Sequence, residues 1–164
     1  MALRLCSFAL AAGLLAVGGT SAAQEARIAF GDLVQDTSQP VSVTSETLTV
    51  NNADGTAVFT GNVIVTQGEM TLSAAEVRVV YNQERSAIDR LLASGGVTIV
   101  NLADTAKSRE AVYTIESGVI VLTGDVALTQ GPTATAGQKL TVNLKDGTGL
   151  MEGGVTTTFV PGGN

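Results

Sequence analysis

The feature that most constrains the fold is a motif that returns four times. Its best copy is Leu122–Gly131, LTGDVALTQG, with a near-copy at Phe59–Gly68, FTGNVIVTQG. Two weaker copies are Ala93–Asn101, ASGGVTIVN, and Met151–Phe159, MEGGVTTTF. Aligned on Gly61, Gly95, Gly124 and Gly153, the copies are offset by 34, 29 and 29 residues. Repetition at a period of this size signals a repeat architecture. The agreement reaches beyond the motif. Leu48 and Leu140 each stand 13 residues before their glycine, and Gly55, Gly118 and Gly147 each stand six before theirs. The long interval carries five extra residues within 82–92, which reads as a lengthened loop.

Each copy alternates between apolar and polar positions. Leu122, Val126 and Leu128 share one parity, and Thr123, Asp125 and Thr129 the other. A period of two is a strand with one buried face. Phe59, Val63 and Val65 repeat it, as do Val97 and Ile99, and Met151 and Val155. The four glycines fall on the apolar parity. A glycine there marks a bulge, a sharp bend or a close approach of another backbone; leaving room for a ligand is the functional alternative.

The pattern predicts an all-β chain. Strands are expected near 26–30, 41–51, 56–67, 70–74, 76–82, 91–101, 111–116, 119–129, 139–145 and 149–160. Asp54-Gly55 and Asp146-Gly147 lie between apolar runs and predict hairpin turns. Glu84–Leu92 is the best helical stretch, and equally a loop running into a strand. Residues 1–23 have one charge, Arg4, then the apolar run Leu5–Val17 and the small residues Ser21-Ala22-Ala23. They read as a cleaved secretory signal peptide, which implies an exported chain. Residues 24–39 read as a flexible segment with a possible first strand, 40–160 as the folded domain, and 161–164 as a frayed tail.

Composition limits the chemistry. The chain has no histidine, and Cys6, its one cysteine, lies in the leader. The usual general base, thiol nucleophile and soft metal sites are missing. Without Arg4, eight basic residues face 15 acidic ones. That balance argues against nucleic acid as a partner. Asp125 and Glu152 sit on the polar parity as solvated strand residues do, and Asp54, Asp104, Asp125 and Asp146 are scattered one per turn. No catalytic pair, metal site or cofactor is implied.

Pro40–Tyr81, PVSVTSETLTVNNADGTAVFTGNVIVTQGEMTLSAAEVRVVY, resembles the opening of the LptA/OstA-like family of lipopolysaccharide transport domains. The matching features are the alternating strand after the proline, the Asp-Gly turn and the Thr-Gly-Asn-Val-x-Val-x-Gln-Gly run. Ala93–Phe159 continues the pattern. The resemblance implies an open, curved β-jelly roll of two antiparallel sheets in a V, built from repeated hairpins. It implies a periplasmic carrier that shields the acyl chains of lipid A. Its partners would be OstA-like domains of inner- and outer-membrane transport proteins, and further copies stacked head to tail. The chain is short for the family, so fewer strands are expected.

The candidate lining of the apolar interior is Phe59, Val63, Val65, Leu72, Val77, Val79, Val97, Ile99, Tyr113, Ile115, Leu122, Val126, Leu128, Leu140, Val142 and Met151. A closed core of the same residues, in a structural repeat module that binds only proteins, is the alternative. A dry, closed interior favours the module, and an interior open at an end or a seam favours the carrier. Val41, Val43, Val155, Thr157 and Phe159 mark the candidate docking edges. VTTTFV, residues 155–160, has neither charge nor proline to protect it.

Overall fold

The computed structural model describes residues 26–29, 36–84 and 86–159. The expected signal peptide, most of the N-terminal segment and the tail lie outside the described residues. Thirteen strands follow in chain order: β1 (Ala26–Ala29), β2 (Ser42–Thr44), β3 (Thr47–Asn51), β4 (Thr56–Gln67), β5 (Met70–Tyr81), β6 (Ile88–Ser94), β7 (Val97–Asn101), β8 (Asp104–Ser108), β9 (Glu110–Thr114), β10 (Val119–Gln130), β11 (Thr133–Asn143), β12 (Thr148–Glu152) and β13 (Thr156–Phe159). Every pairing is antiparallel.

The strands form one hydrogen-bonded sheet, creased into two leaves. One leaf runs β3, residues 56–60 of β4, residues 76–81 of β5, β6, β9, residues 119–123 of β10, residues 139–143 of β11, β12 and β1. The other runs β2, residues 63–67 of β4, residues 70–73 of β5, β7, β8, residues 126–130 of β10, residues 133–136 of β11 and β13. The four long strands cross from leaf to leaf. The all-β chain is the one the repeats predict, and the two leaves form the curved jelly roll that the family resemblance implies.

The motif glycines make the crease. The register slips between Thr60 and Val63 in β4 and between Thr123 and Val126 in β10, one bulge in each strand. Gly61-Asn62 and Gly124-Asp125 occupy those slips with positive φ throughout. Two left-handed residues turn the strand while keeping the apolar parity inward on both sides. Strands without a glycine pair bend differently. In β5 the buried positions are Met70, Leu72 and Ala74 before the bend, then Val77 and Val79 after it. The parity flips at Ala75, which is why the sequence reads there as two strands.

Each crease glycine faces a side chain of the neighbouring chain segment. An added Cβ would meet Glu46 at 2.6 Å from Gly61, Ala75 at 2.6 Å from Gly95, Arg109 at 3.0 Å from Gly124 and Gln138 at 2.6 Å from Gly153. The crease therefore alternates glycine corner and side-chain corner along its whole length. Close approach, not ligand space, explains these four glycines.

Several strand bounds differ from expectation: 41–51 divides into β2 and β3, 91–101 into β6 and β7, and 149–160 into β12 and β13, while 70–74 and 76–82 join as β5 and residues 133–138 of β11 were not expected. β8 was not expected, because DTAKS has one apolar residue, Ala106, at its centre. The repeat does encode it: Met70, Asp104 and Thr133 each stand nine residues after a motif glycine, and each begins a strand. In the stretch 84–92, residues 88–92 belong to β6 and none of the described residues is helical. Asn82 builds the preceding loop, its Oδ1 accepting from the backbone N–H of Ser86 at 2.9 Å and of Ala87 at 3.3 Å.

The hairpin turns repeat atom for atom. Asn51 Nδ2 donates to Asp54 at 3.0 Å, and Asn143 Nδ2 to Asp146 at 3.0 Å. Asp54 and Asp146 each accept from a backbone N–H two residues on, at 3.1 and 3.0 Å. Turn chemistry uses both carboxylates.

Candidate functional site

The inner faces of the two leaves form one apolar layer. Fourteen of the sixteen expected lining residues are buried in it; Phe59 and Ile115 are half-buried and packed against it. The sequence reading missed Met70, Leu91, Ile120, Leu144 and the alanines Ala57, Ala74, Ala93, Ala106 and Ala111. The alanines escape notice because a small side chain on a strand has no marked hydropathy.

The layer is close-packed in its middle. One cavity, about 20 Å³, is lined from one leaf by Met70, Ile99, Asn101, Asp104, Ala106 and Leu128 and from the other by Ile120, Leu122, Leu140, Val142 and Leu144. That volume holds about one water molecule. It lies on the seam opposite the crease, where the rims of the leaves face each other.

The layer is open at its ends. Leu48 pairs with Phe59 and Val50 with Ala57, so both point to the inner side of β3. They are nevertheless 52% and 60% exposed, because nothing among the described residues covers that end. At the other end Thr157 pairs with the buried Thr135, their hydroxyl oxygens 3.3 Å apart. Phe159, on the same face of β13, is 71% exposed. Val41, Val43 and Val155 are half-buried and packed on the core.

These ends correct the expected edges in one respect. The C-terminal region 149–160 does not form a single free edge. In one leaf β1 pairs along β12, Ala26 opposite Met151 and Ala29 opposite Thr148. The terminal strand is β13 in the other leaf only. At the N-terminal side β2 and β3 are terminal in their leaves, as the sequence predicts.

The seam carries a polar row that periodicity does not reveal. Gln67, Asn101 and Asp104 point inward at the rim and are buried. Gln130 Nε2 donates to Asp104 Oδ2 at 2.9 Å. The Tyr113 hydroxyl, on the opposite leaf, donates to Gln67 Oε1 at 2.8 Å. Gln67 Nε2 uses both its protons, donating to the carbonyls of Thr37 at 3.0 Å and Gln39 at 2.9 Å. The signal available was the Thr-Gln-Gly that closes both strong motif copies.

Burial pushes the Tyr113 phenol up from 10.0 to about 12. The folded state holds the proton more tightly than the unfolded chain does. The associated stability is fully present below pH 10 and is lost as pH rises towards 12, by up to about 1.4 kcal/mol per pH unit. Urea unfolding between about pH 9 and 12 should show this loss in the parent chain. In Tyr113→Phe that part of the slope should vanish.

Comparison with known proteins fits this geometry. The profile of the LptA/(LptD N-terminal domain) LPS transport protein family matches residues 42–148. The Escherichia coli (strain K12) lipopolysaccharide export system protein LptA is 30% identical over 119 residues, covering 68% of this chain and 63% of that protein. An uncharacterised protein of Rhizobium meliloti (strain 1021) is 29% identical over 151 residues, covering 87% of this chain and 80% of its own length. Among solved structures, LptH of Pseudomonas aeruginosa, described as the LptA-homologous periplasmic component of the lipopolysaccharide transport device, superposes with a TM-score of 0.69. It is 17% identical and covers 77% of this chain and 99% of its own, a likeness of fold.

The family match thus places this creased jelly roll in a class of lipopolysaccharide-transport β-domains. The chain belongs to the LptA/OstA-like family. The shortness noted in its sequence does not cost it the fold, since the match spans almost all of LptH.

Proposed function

We propose that this chain is a periplasmic carrier that shields the acyl chains of lipopolysaccharide between its two leaves, as part of the bridge from inner to outer membrane. The observation that carries the reading is the pair of open ends. A module stabilised only by its core would cover Leu48, Val50 and Phe159, which instead continue the apolar layer to solvent. Each methylene buried contributes about 0.8 kcal/mol, so a few acyl chains outweigh a modest separation of the leaves. The closed middle favours the alternative, a structural module that binds only proteins. The two readings differ in mass spectrometry of the protein mixed with lipid A. The carrier retains lipid A as a complex and releases it with its mass unchanged; the module retains none.

The partners in this reading are lipopolysaccharide, the OstA-like domains of inner- and outer-membrane transport proteins, and other copies of the chain. An unpaired strand edge recruits strands. Docking of the β13 edge onto the β2 edge of the next copy is head to tail, so it makes chains and not a closed dimer. The inner-face positions Thr157 and Phe159 would then meet the side of Val41 and Val43. Thr157→Lys or Thr158→Pro should abolish growth of light-scattering mass with concentration while leaving the circular dichroism unchanged. A parent chain that stays monomeric at high concentration would contradict stacking.

A further inference from the structure

The seam opposite the crease is crossed by one described segment, Asp36–Gln39. Its turn is held by Asp36, whose carboxylate accepts from Ser38 N–H at 3.0 Å and from Gln39 Nε2 at 3.2 Å, while Gln39 N–H bonds the Asp36 carbonyl at 3.2 Å. On one rim, Gln67 grips the carbonyls of Thr37 and Gln39. On the other, the Thr37 methyl lies 3.2 Å from where a Cβ on Gly118 would stand, against the turn between β9 and β10. Tyr113 completes the tie by joining Gln67 to the second leaf. The cavity opens beside this tie: Met70, which lines it, pairs with Gln67, and Ile120, which lines it, pairs with Tyr113.

We propose that Asp36–Gln39 is a latch across the seam, fastened by the Gln67 amide, and that it must release before an acyl chain enters the interior sideways. This rests on the carrier reading and adds its regulation. A hydrogen-bonded fastening suits a gate. Such bonds exchange with water at modest net cost, whereas the apolar packing on either side does not. The latch is attached at the seam, so lipid entering by the seam has to displace it. Lipid passing only along the open ends does not.

The test follows uptake of fluorescently labelled lipid A from detergent by the purified chain. Gln67→Glu keeps the side-chain shape but sets a carboxylate against two carbonyl oxygens. Asp36→Ala removes the turn's acceptor at an exposed position, where folding is not at risk. Each should take up lipid A about tenfold faster than the parent, the factor that about 1.4 kcal/mol represents. Final occupancy should be unchanged. Asp54→Ala removes a matching turn acceptor in the β3–β4 hairpin, away from the latch, and should keep the parental rate. Parental rates in both Gln67→Glu and Asp36→Ala would overturn the latch alone, as would equal quickening by Asp54→Ala. No uptake by any form, the parent included, would overturn the carrier reading and the latch with it.

Discussion

Leu140→Ala is expected to lower the unfolding free energy by about 2–5 kcal/mol, the cost of a large-to-small change in a core that cannot fully collapse. Leu140 is completely buried. It lies in β11 between Leu122 of β10 and Met151 of β12, its partners on either side. It also walls the seam cavity, so truncation enlarges a space that already exists. Its neighbour Thr141 points to the opposite face and is only half-buried. Thr141→Ala should change stability by no more than about 0.5 kcal/mol. Urea midpoints for the two variants give the comparison directly.

The second large effect lies on the crease. Gly95 and Gly96 are adjacent, with φ of 80° and 87°. Both would strain a side chain, at about 1–2 kcal/mol for the left-handed region. They differ in what a Cβ would touch. At Gly96 nothing lies within 4 Å; at Gly95 the Ala75 Cβ lies at 2.6 Å. Gly96→Ala should therefore show the conformational cost alone. Gly95→Ala adds overpacking of about 1–3 kcal/mol, because Ala75 belongs to the adjoining strand. A loss of about 2–5 kcal/mol is expected at Gly95. Equal losses at the two positions would mean that the crease is not set by close approach.

Much of this fold was legible because the chain repeats itself. The period placed the crease glycines, the alternation placed the buried face, and the Asp-Gly pairs placed the turns. The apolar lining was legible for the same reason: inward positions of a two-period strand are named by parity alone. Four things were not legible. β8 carries polar residues at most positions, so only its place after Gly95 betrays it. The continuity of β5 through Ala75 depends on a bend that no single residue announces, so the parity flip there reads as a break between two strands. The polar seam depends on Gln67 and Tyr113, which are 46 residues apart and meet only when the leaves face each other. The covering of β12 by β1 likewise joins the two ends of the chain, a pairing that local pattern does not encode.

The carrier account comes down to where lipid acyl chains go. Photo-crosslinking amino acids placed singly at Val65, Ile99 and Leu128, all buried on inner faces, should capture lipid A. The same group at Thr66 or Asp125, on the opposite parity, should not. Capture confined to the inner positions is the result predicted. Equal capture from both faces, or none from Val65, Ile99 and Leu128, would contradict a lipid path between the leaves.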